Sequence, residues 1–353
     1  MAERQRRSRL RRSDCSGPGW QRRGRGRGFE YLDERGHRIR DPEALARIAE
    51  LAIPPAWREV WICADPLGHL QATGTDAAGR KQYLYHPRWR EHRDRQKFER
   101  MTRFGRGLPE LRRRVSEDLS QAEFTRPRVL ACAVRLLDVG MFRIGSEQYA
   151  DDDGGVGLAT LRREHVSVHN GNLAFEYPAK GGIPRLQVIT DPVTHDLLSG
   201  LARRRSGGPE LLAYRERRRW IPIRSEEINQ YLKDGLGEEF SAKDFRTWNA
   251  TVMAAVVLAT DGAEAGSKPS RKRAIDRSVR AVAELLGNTP AVARRSYIDP
   301  RVFDRYQSGA TIADTVQRIS DLDPADDRVR TRLDRAVLKL LSGGSLRSRP
   351  SRN

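Results

Sequence analysis

Apolar residues alternate in short runs up to about residue 90 and recur mainly at helical spacing from there on. Residues 41–52 predict a helix: Asp41 is an N-cap, Pro42 suits the first turn, and Leu45, Ile48 and Leu51 line one face. Ile53-Pro54-Pro55 ends it. Val60–Ala64 and Leu70–Gly74 read as strands joined by the turn Asp65-Pro66-Leu67-Gly68, and Gln82–His86 alternates as a third. Arg88–Arg103 is a highly charged helix at a domain junction. Leu108–Leu119 and Pro127–Val139 carry apolar residues at helical spacing. Val166–His169 and Leu173–Tyr177 alternate as strands about the turn Asn170-Gly171-Asn172, with Leu186–Ile189 as a third strand. Pro178-Ala179-Lys180-Gly181-Gly182 therefore falls in a second hairpin loop. Helices follow at Pro192–Arg203, Ser225–Asp234, Ala242–Thr260 and Arg271–Leu286, the last closed by Gly287. Asn288 or Thr289 caps a further helix with Pro290 in its first turn, and Tyr297 lies on that helix or just past it. No internal repeat is visible.

These elements predict an α+β chain. Residues 1–27 are Arg, Gly and Ser with little to bury, and predict a disordered basic tail that holds DNA phosphates or serves as a solubilising extension. A small, mainly β domain covers 28–90. A mainly helical catalytic domain with a three-stranded hairpin sheet covers 91–341, and 342–353 form a second disordered tail.

Charge narrows the partner. There are 66 Lys and Arg against 47 Asp and Glu, a formal net charge of +19, which points to a polyanion and first of all to nucleic acid. A membrane surface is the rival, but no apolar run approaches the ~18 residues needed to span a bilayer. The Arg-rich N-terminus lacks the apolar core of a signal peptide. The three cysteines, Cys15, Cys63 and Cys132, lie far apart and predict neither a disulfide framework nor a zinc site, so the expectation is a reduced, cytoplasmic chain. His165 and His169 would suit one metal on a helix; on a strand that spacing holds them roughly 13 Å apart. The loop Asp151-Asp152-Asp153 reads as a solvated turn.

Strand cleavage without a metal needs a particular set of groups. Negative charge builds on the phosphate oxygens as a nucleophile attacks, and fixed donors must meet it. Two arginines and a neutral donor can do so. A tyrosine can attack phosphorus and store the bond energy in a covalent link. A general acid must protonate the departing 5′ oxygen.

Five segments offer this set in order. Met141-Phe142-Arg143-Ile144-Gly145-Ser146-Glu147-Gln148-Tyr149, followed by Val156-Gly157-Leu158-Ala159-Thr160-Leu161, resembles the first-arginine motif of type IB DNA topoisomerases. Phe175-Glu176-Tyr177-Pro178-Ala179-Lys180-Gly181 resembles their hairpin with the general-acid lysine. Lys243-Asp244-Phe245-Arg246-Thr247-Trp248 resembles the second-arginine motif. Leu286-Gly287-Asn288-Thr289-Pro290 and Ala293-Arg294-Arg295-Ser296-Tyr297 resemble the segment with the last phosphate donor and the nucleophile. Upstream, Gly79-Arg80-Lys81-Gln82-Tyr83-Leu84-Tyr85 resembles the DNA-contacting segment of the compact bacterial and poxvirus-like branch. The match runs from about Ile53 to Tyr297.

The resemblance implies Tyr297 as nucleophile, Arg143 and Arg246 on the non-bridging oxygens, Lys180 as general acid and Asn288 as a phosphate donor. It implies DNA contacts at Gln82, Tyr83, Tyr85, Tyr149 and Lys243. The implied reaction cuts one strand of duplex DNA through a 3′-phosphotyrosine, lets the duplex swivel and reseals it, with no ATP, metal or cofactor. The implied actor is a monomer clamped around DNA, cytoplasmic and nucleoid-associated. Two positions depart from the family. Asn288 stands where His is usual; it keeps an N–H donor but cannot carry charge or transfer a proton. Ala179 stands where many members have Gly.

Each residue also has an ordinary reading. Arg143 could satisfy helix-end carbonyls, Lys180 could be a solvated loop lysine, and Arg246 could pair with Asp244. Asn288 could simply cap a helix, Tyr297 could be a core aromatic, and Gln82, Tyr83 and Tyr85 could form a strand with one wet face. Two rival functions stand beside the topoisomerase. A tyrosine recombinase shares the chemistry but usually carries His-x-x-Arg, where this chain has Lys243-x-x-Arg246. A non-catalytic DNA-binding protein would have kept the fold without the full set.

Overall fold

The structure is a computed structural model that describes residues 9–26, 28–145, 155–169, 171–261, 267–319, 323 and 325–343. Tyr149, the Asp151-Asp152-Asp153 loop and the end of the expected C-terminal tail lie outside the described residues. Two compact units emerge, residues 1–98 and 99–353.

The first unit is a five-stranded antiparallel sheet with strand order β2-β1-β3-β4-β5. The strands are β1 (Trp20–Arg25), β2 (Gly28–Leu32), β3 (Arg58–Ile62), β4 (Leu70–Thr75) and β5 (Lys81–Tyr85). Helix α1 (Pro42–Glu50) starts as predicted, with the Asp41 carboxylate accepting from the Glu43 and Ala44 amides at 3.3 and 3.2 Å. Its Ile48 joins Val60, Ile62 and Ala72 in a small core.

Strand β1 corrects the sequence reading, which placed residues 20–25 in a disordered tail. Trp20 packs against that small core. Arg22 donates to the carbonyls of Ile53, Pro54 and Trp57 and stacks over the Phe29 ring at 4.2 Å. Arginines that cover apolar surface with their stems and give their donors to carbonyls do in this strand what apolar residues usually do.

In the second unit, two predicted helices merge into one, α2 (Pro87–Leu119), which runs through Pro109. The boundary between the units, expected near residue 90, falls within it. Phe104, Leu108, Leu111 and Val115 form one buried stripe that continues past the proline. Packing on both sides outweighs the backbone hydrogen bond that Pro109 forgoes.

Helix α3 (Arg126–Gly140) has 11 of its 15 residues buried, which makes it the axis of the unit. It packs against α6 (Ala242–Asp261). The hairpins predicted around Lys180 form a sheet of β6 (Val166–His169), β7 (Asn172–Pro178) and β8 (Pro184–Ile189), in that order. The remaining helices are α4 (Pro192–Arg203), α5 (Ser225–Leu236), α7 (Lys268–Leu286), α8 (Pro290–Ser296), α9 (Pro300–Gln307), α10 (Ala313–Gln317) and α11 (Asp327–Leu341). A hairpin of β9 (Ala213–Glu216) and β10 (Arg219–Pro222) was not anticipated, because its run of arginines hides the alternation. The mainly helical second unit and the small β unit bear out the α+β class. Among the described residues no helix is long and apolar enough to cross a membrane.

A buried ionic network joins α2, α3, α6 and α11. Arg112 donates to Asp138 at 2.8 Å and to Asp334 at 2.6 Å. Trp248 Nε1 donates to the other Asp334 oxygen at 2.8 Å, and Arg330 closes on Asp138. Burial alone would lower the Arg112 pKa, but the two carboxylates outweigh it and hold the guanidinium charged. Removing one partner leaves the others buried and uncompensated. Arg112→Met is expected to destabilise the chain by about 3–5 kcal/mol, read as a lower urea midpoint. A midpoint equal to wild type would contradict this account of the network.

Candidate active site

Helix α3 ends at Met141, which sits in the left-handed region with φ 53°. That turn swings the next residues out of the helix and exposes the Met141 carbonyl. Arg143 follows, and its segment pairs with 157–159: Leu158 N–H donates to the Arg143 carbonyl at 2.8 Å, and Ala159 N–H to that of Ile144 at 2.7 Å. Two glycines permit the approach. A Cβ on Gly157 would lie 2.4 Å from the Gly145 nitrogen, and Gly145 has φ +70°. Side chains at either position would push Arg143 away from its place.

Arg246 lies on the first turns of α6 and is 4% exposed. Asp244, the partner in the ordinary reading, is taken elsewhere: it accepts from Arg100 at 2.7 Å and from the Ser241 amide at 2.9 Å. Arg246 instead donates to two carbonyls, that of Met141 and that of Leu286, the latter at 2.7 Å. These close the C-terminal ends of α3 and α7 respectively. The Arg246 guanidinium also lies 5.4 Å from the centre of the Tyr297 ring.

Gly287 ends α7 in the left-handed conformation, φ 59°, as predicted. Thr289 is the cap of α8, its hydroxyl accepting from Val292 N–H. Asn288 is thereby freed from capping, and its Oδ1 accepts from Arg143 at 2.8 Å. Arginine has donors only, so it dictates which way the amide points. The Asn288 Nδ2 is left buried with no hydrogen-bond partner.

Tyr297 is the residue that ends α8. Its neighbour Ile298 is fully buried. Thr251 of α6 donates to the Tyr297 carbonyl at 3.4 Å and accepts from the Asp299 amide at 3.1 Å, which pins the turn. Burial pushes the phenol pKa up, but the charges of Arg246 and Arg143 outweigh it and hold Tyr297 below its ordinary value. Arg246 and Asn288 also approach the phenol closely enough to favour its ionised form, without the alignment of full hydrogen bonds.

Lys180 lies in the loop between β7 and β8, exposed, where Gly181 takes φ 77°. Ala179, at φ −81°, needs no glycine. Arg143, Lys180 and Arg246 line one cleft of about 100 Å³. Tyr177 and Arg185 line it too, and sequence reasoning missed both. They are register partners on β7 and β8, so strand alternation would have placed them on one face. Arg185 donates to the Leu285 carbonyl at 2.6 Å. Lys243 is exposed one helical turn before Arg246 and lies outside this cleft.

The cleft is thus lined by four cations and no carboxylate. Arg246 responds to this: burial and then the charge of Arg143 pull its pKa down to about 10, so it remains charged at neutral pH. Arg135 shows the contrast. Burial would lower it as well, but Asp191 and Asp327 neutralise it and raise its pKa. Arg204 is also held by carbonyls alone, but all four belong to its own 201–211 segment, which it closes on itself. Among the described residues no group of three or more His, Cys, Asp or Glu is placed to hold a metal ion.

In the first unit, Tyr83 and Tyr85 stack on one face of β5, ring centroids 6.1 Å apart, with Tyr83 45% exposed. Gln82 belongs to the other face, where it donates to Asp76 at 2.9 Å.

Family models match stretches of both units. A family model described as "Eukaryotic DNA topoisomerase I, catalytic core" matches residues 86–322. One described as "Bacterial DNA topoisomerase IB, N-terminal domain" matches residues 28–76. The chain belongs to the DNA topoisomerase IB family. It is 28% identical to DNA topoisomerase 1B of Acanthamoeba polyphaga mimivirus over 75% of this chain and 80% of that protein. The vaccinia virus (strain Copenhagen) DNA topoisomerase 1B is 19% identical, over 70% of this chain and 75% of that one. Among solved structures, the site-specific recombinase XerH, in a pre-cleavage complex with its difH substrate, aligns over 56% of this chain and 51% of that one, with 14% identity and a TM-score of 0.33.

The electrostatics of this enzyme's cleft can be read directly. In an alkaline absorbance titration, one tyrosine should ionise below the ordinary value of about 10. Tyr297→Phe should remove that step, and Arg143→Gln should move it to higher pH. Identical titrations of wild type and Tyr297→Phe would contradict the arrangement.

Proposed function

We propose that the chain is a type IB DNA topoisomerase that relaxes supercoiled duplex DNA through a transient 3′-phosphotyrosine at Tyr297. One observation carries the assignment of roles: Arg246, buried and held by two carbonyl oxygens in a cleft lined by no carboxylate, stands with Arg143, Asn288 and Tyr297 around a site that holds unbalanced positive charge.

The chemistry follows from the groups. A phosphodiester supplies the missing negative charge. Arg143 and Arg246 donate to its non-bridging oxygens, and Asn288 Nδ2 donates to one of them as charge builds. The Tyr297 phenol, held below its ordinary pKa, yields its proton to solvent water and attacks phosphorus. A phenolic O–P bond forms and the P–O5′ bond breaks. Lys180, on its exposed loop, protonates the departing 5′ oxygen. The duplex beyond the break swivels. The 5′-hydroxyl then attacks the phosphotyrosine and returns its proton to Lys180, the P–O5′ bond re-forms, and Tyr297 leaves as phenolate and takes a proton from water. The covalent link conserves the bond energy, so neither ATP nor a metal is required. Lys243 serves as a supporting DNA contact beside the site, and Tyr149 is proposed for the same role. Tyr83 of β5 offers an exposed ring to DNA, stacked on the half-buried Tyr85, and Gln82 supports their strand from the other face. The reading includes a single copy enclosing duplex DNA with basic residues of both units, in the cytoplasm at the nucleoid.

Supercoiled plasmid is expected to relax in the absence of ATP and Mg²⁺, with the covalent adduct mapped by mass spectrometry to Tyr297. Tyr297→Phe should bind DNA yet trap no adduct; a persisting adduct would overturn the assignment. Lys180→Ala should slow cleavage, with rescue by a substrate whose 5′ leaving group needs no proton, and absence of rescue would refute the general-acid role. Asn288→Ala should slow cleavage by about 10²-fold with little change in DNA affinity; an unchanged rate would remove Asn288 from the site.

A further inference from the structure

The hairpin that carries Lys180 is tied down by groups the proposed reaction does not use. Lys180 itself is exposed and forms no hydrogen bond or ion pair among the described residues, so the backbone of its hairpin is what places it. The loop sits between Pro178 and Pro184, register partners on β7 and β8, and the Ala179 amide closes it by donating to the Ile183 carbonyl at 2.8 Å. Beyond the loop, Arg185 and Gln187 are the half-buried residues of β8. Arg185 donates to the Leu285 carbonyl at 2.6 Å and, through Nε, to Gln187 Oε1 at 3.2 Å. The Tyr177 hydroxyl donates to the same oxygen at 3.3 Å. Arginine has donors only, so the Gln187 oxygen must face it, and the Gln187 nitrogen is left to donate to the Gly140 carbonyl.

The Arg185–Gln187 pair therefore spans the ends of two helices, Gly140 of α3 and Leu285 of α7. Arg246 spans the same two ends one residue further on, at Met141 and Leu286. Those ends are thus bridged twice, once from α6 and once from the strand that leads out of the Lys180 loop. Gly287 leaves room for the second bridge: a Cβ there would lie 2.3 Å from an Arg185 guanidinium nitrogen. Stability alone does not call for a cation at this position. Arg185 joins Arg143, Lys180 and Arg246 in a cleft lined by no carboxylate, where like charges repel.

We propose that Arg185 is a positioning residue for the general acid: with Gln187 it fixes the base of the Lys180 hairpin against the helix ends that precede Arg143 and Asn288, so that Lys180 meets the departing 5′ oxygen. The inference rests on the reading of Lys180 as that acid. Released from α7, the hairpin would let Lys180 swing, and a misplacement of about 1 Å can cost about 10²-fold in rate.

The test is single-turnover cleavage by the full-length chain at a mapped site in two duplexes. One is an ordinary phosphodiester. In the other, sulfur replaces the bridging 5′ oxygen, so Tyr297 forms the same O–P bond while the P–S5′ bond breaks and a thiolate leaves without a proton. Arg185→Ala is expected to slow cleavage of the first by about 10–10²-fold and to cleave the second at close to the wild-type rate, with DNA affinity little changed. Lys180→Ala/Arg185→Ala should be no slower than Lys180→Ala, because both changes remove one proton transfer. Gln187→Met, which gives Arg185 no oxygen to donate to, should show a smaller defect of the same kind, and it decides the matter if Arg185→Ala does not fold. An unchanged rate, equal slowing on both substrates, or defects that multiply in the double variant would overturn the inference. Rescue of Lys180→Ala by sulfur without rescue of Arg185→Ala sinks the positioning role alone. Failure of sulfur to rescue Lys180→Ala sinks the general-acid reading and the inference with it, so the two failures are distinguishable.

Discussion

The second unit depends on how one buried charge is met. Arg246 reaches from α6 to the carbonyl ends of two other helices, α3 and α7, and ties them together. Helix C-termini carry partial negative charge, so they hold a guanidinium without cancelling it. A carboxylate in their place would give a stronger pair and a neutral site. Here the charge remains, and its lowered pKa records the unmet demand for an anion. The same tie fixes the spacing of Arg143 and Asn288, which follow those two helix ends.

The contrast with Arg112 and Arg135 separates two ways of meeting a buried charge. Arg112 and Arg135 are neutralised by aspartates, and their pKa values rise. They hold α2, α3, α4 and α11 in place. The cleft cations have no acid beside them. Buried ion pairs of the first kind contribute little net stability but punish any missing partner; cations of the second kind cost stability until a phosphate arrives. This chain has both, Arg135 on α3 and Arg143 just past the end of that helix.

Local backbone choices place the remaining parts. Gly145 against Gly157 brings the Arg143 segment into contact with residues 157–159. Thr289 takes the capping role, so Asn288 is free for Arg143. Arg143 then turns the Asn288 amide so that its donor faces the space near Tyr297. In the proposed reaction an asparagine can serve here, because the cleft already has its cations and Asn288 adds a neutral donor in a fixed orientation.

Much of this was legible in the residues, and the failures are instructive. Helix caps at Asp41 and Gly287 and the strands around Lys180 follow from local chemistry that any fold would respect. Strand β1 was missed because Arg22 contributes apolar stem and carbonyl-directed donors that a hydrophobic pattern does not count, and hairpin β9–β10 because its run of exposed arginines hides the alternation. The helices read at Arg88–Arg103 and Leu108–Leu119 are one, because a continuous buried stripe carries the helix across the gap between them. The order and identity of the five motif segments were determined by the sequence alone, and with them the family, because residue types and spacing carry the chemistry. That Arg246 would ignore neighbouring Asp244, bridge two helix ends and share a cleft with Arg143, Lys180 and Arg185 was decided only by the tertiary structure. Those contacts join residues from 40 to more than 100 positions apart, and only packing brings them within reach.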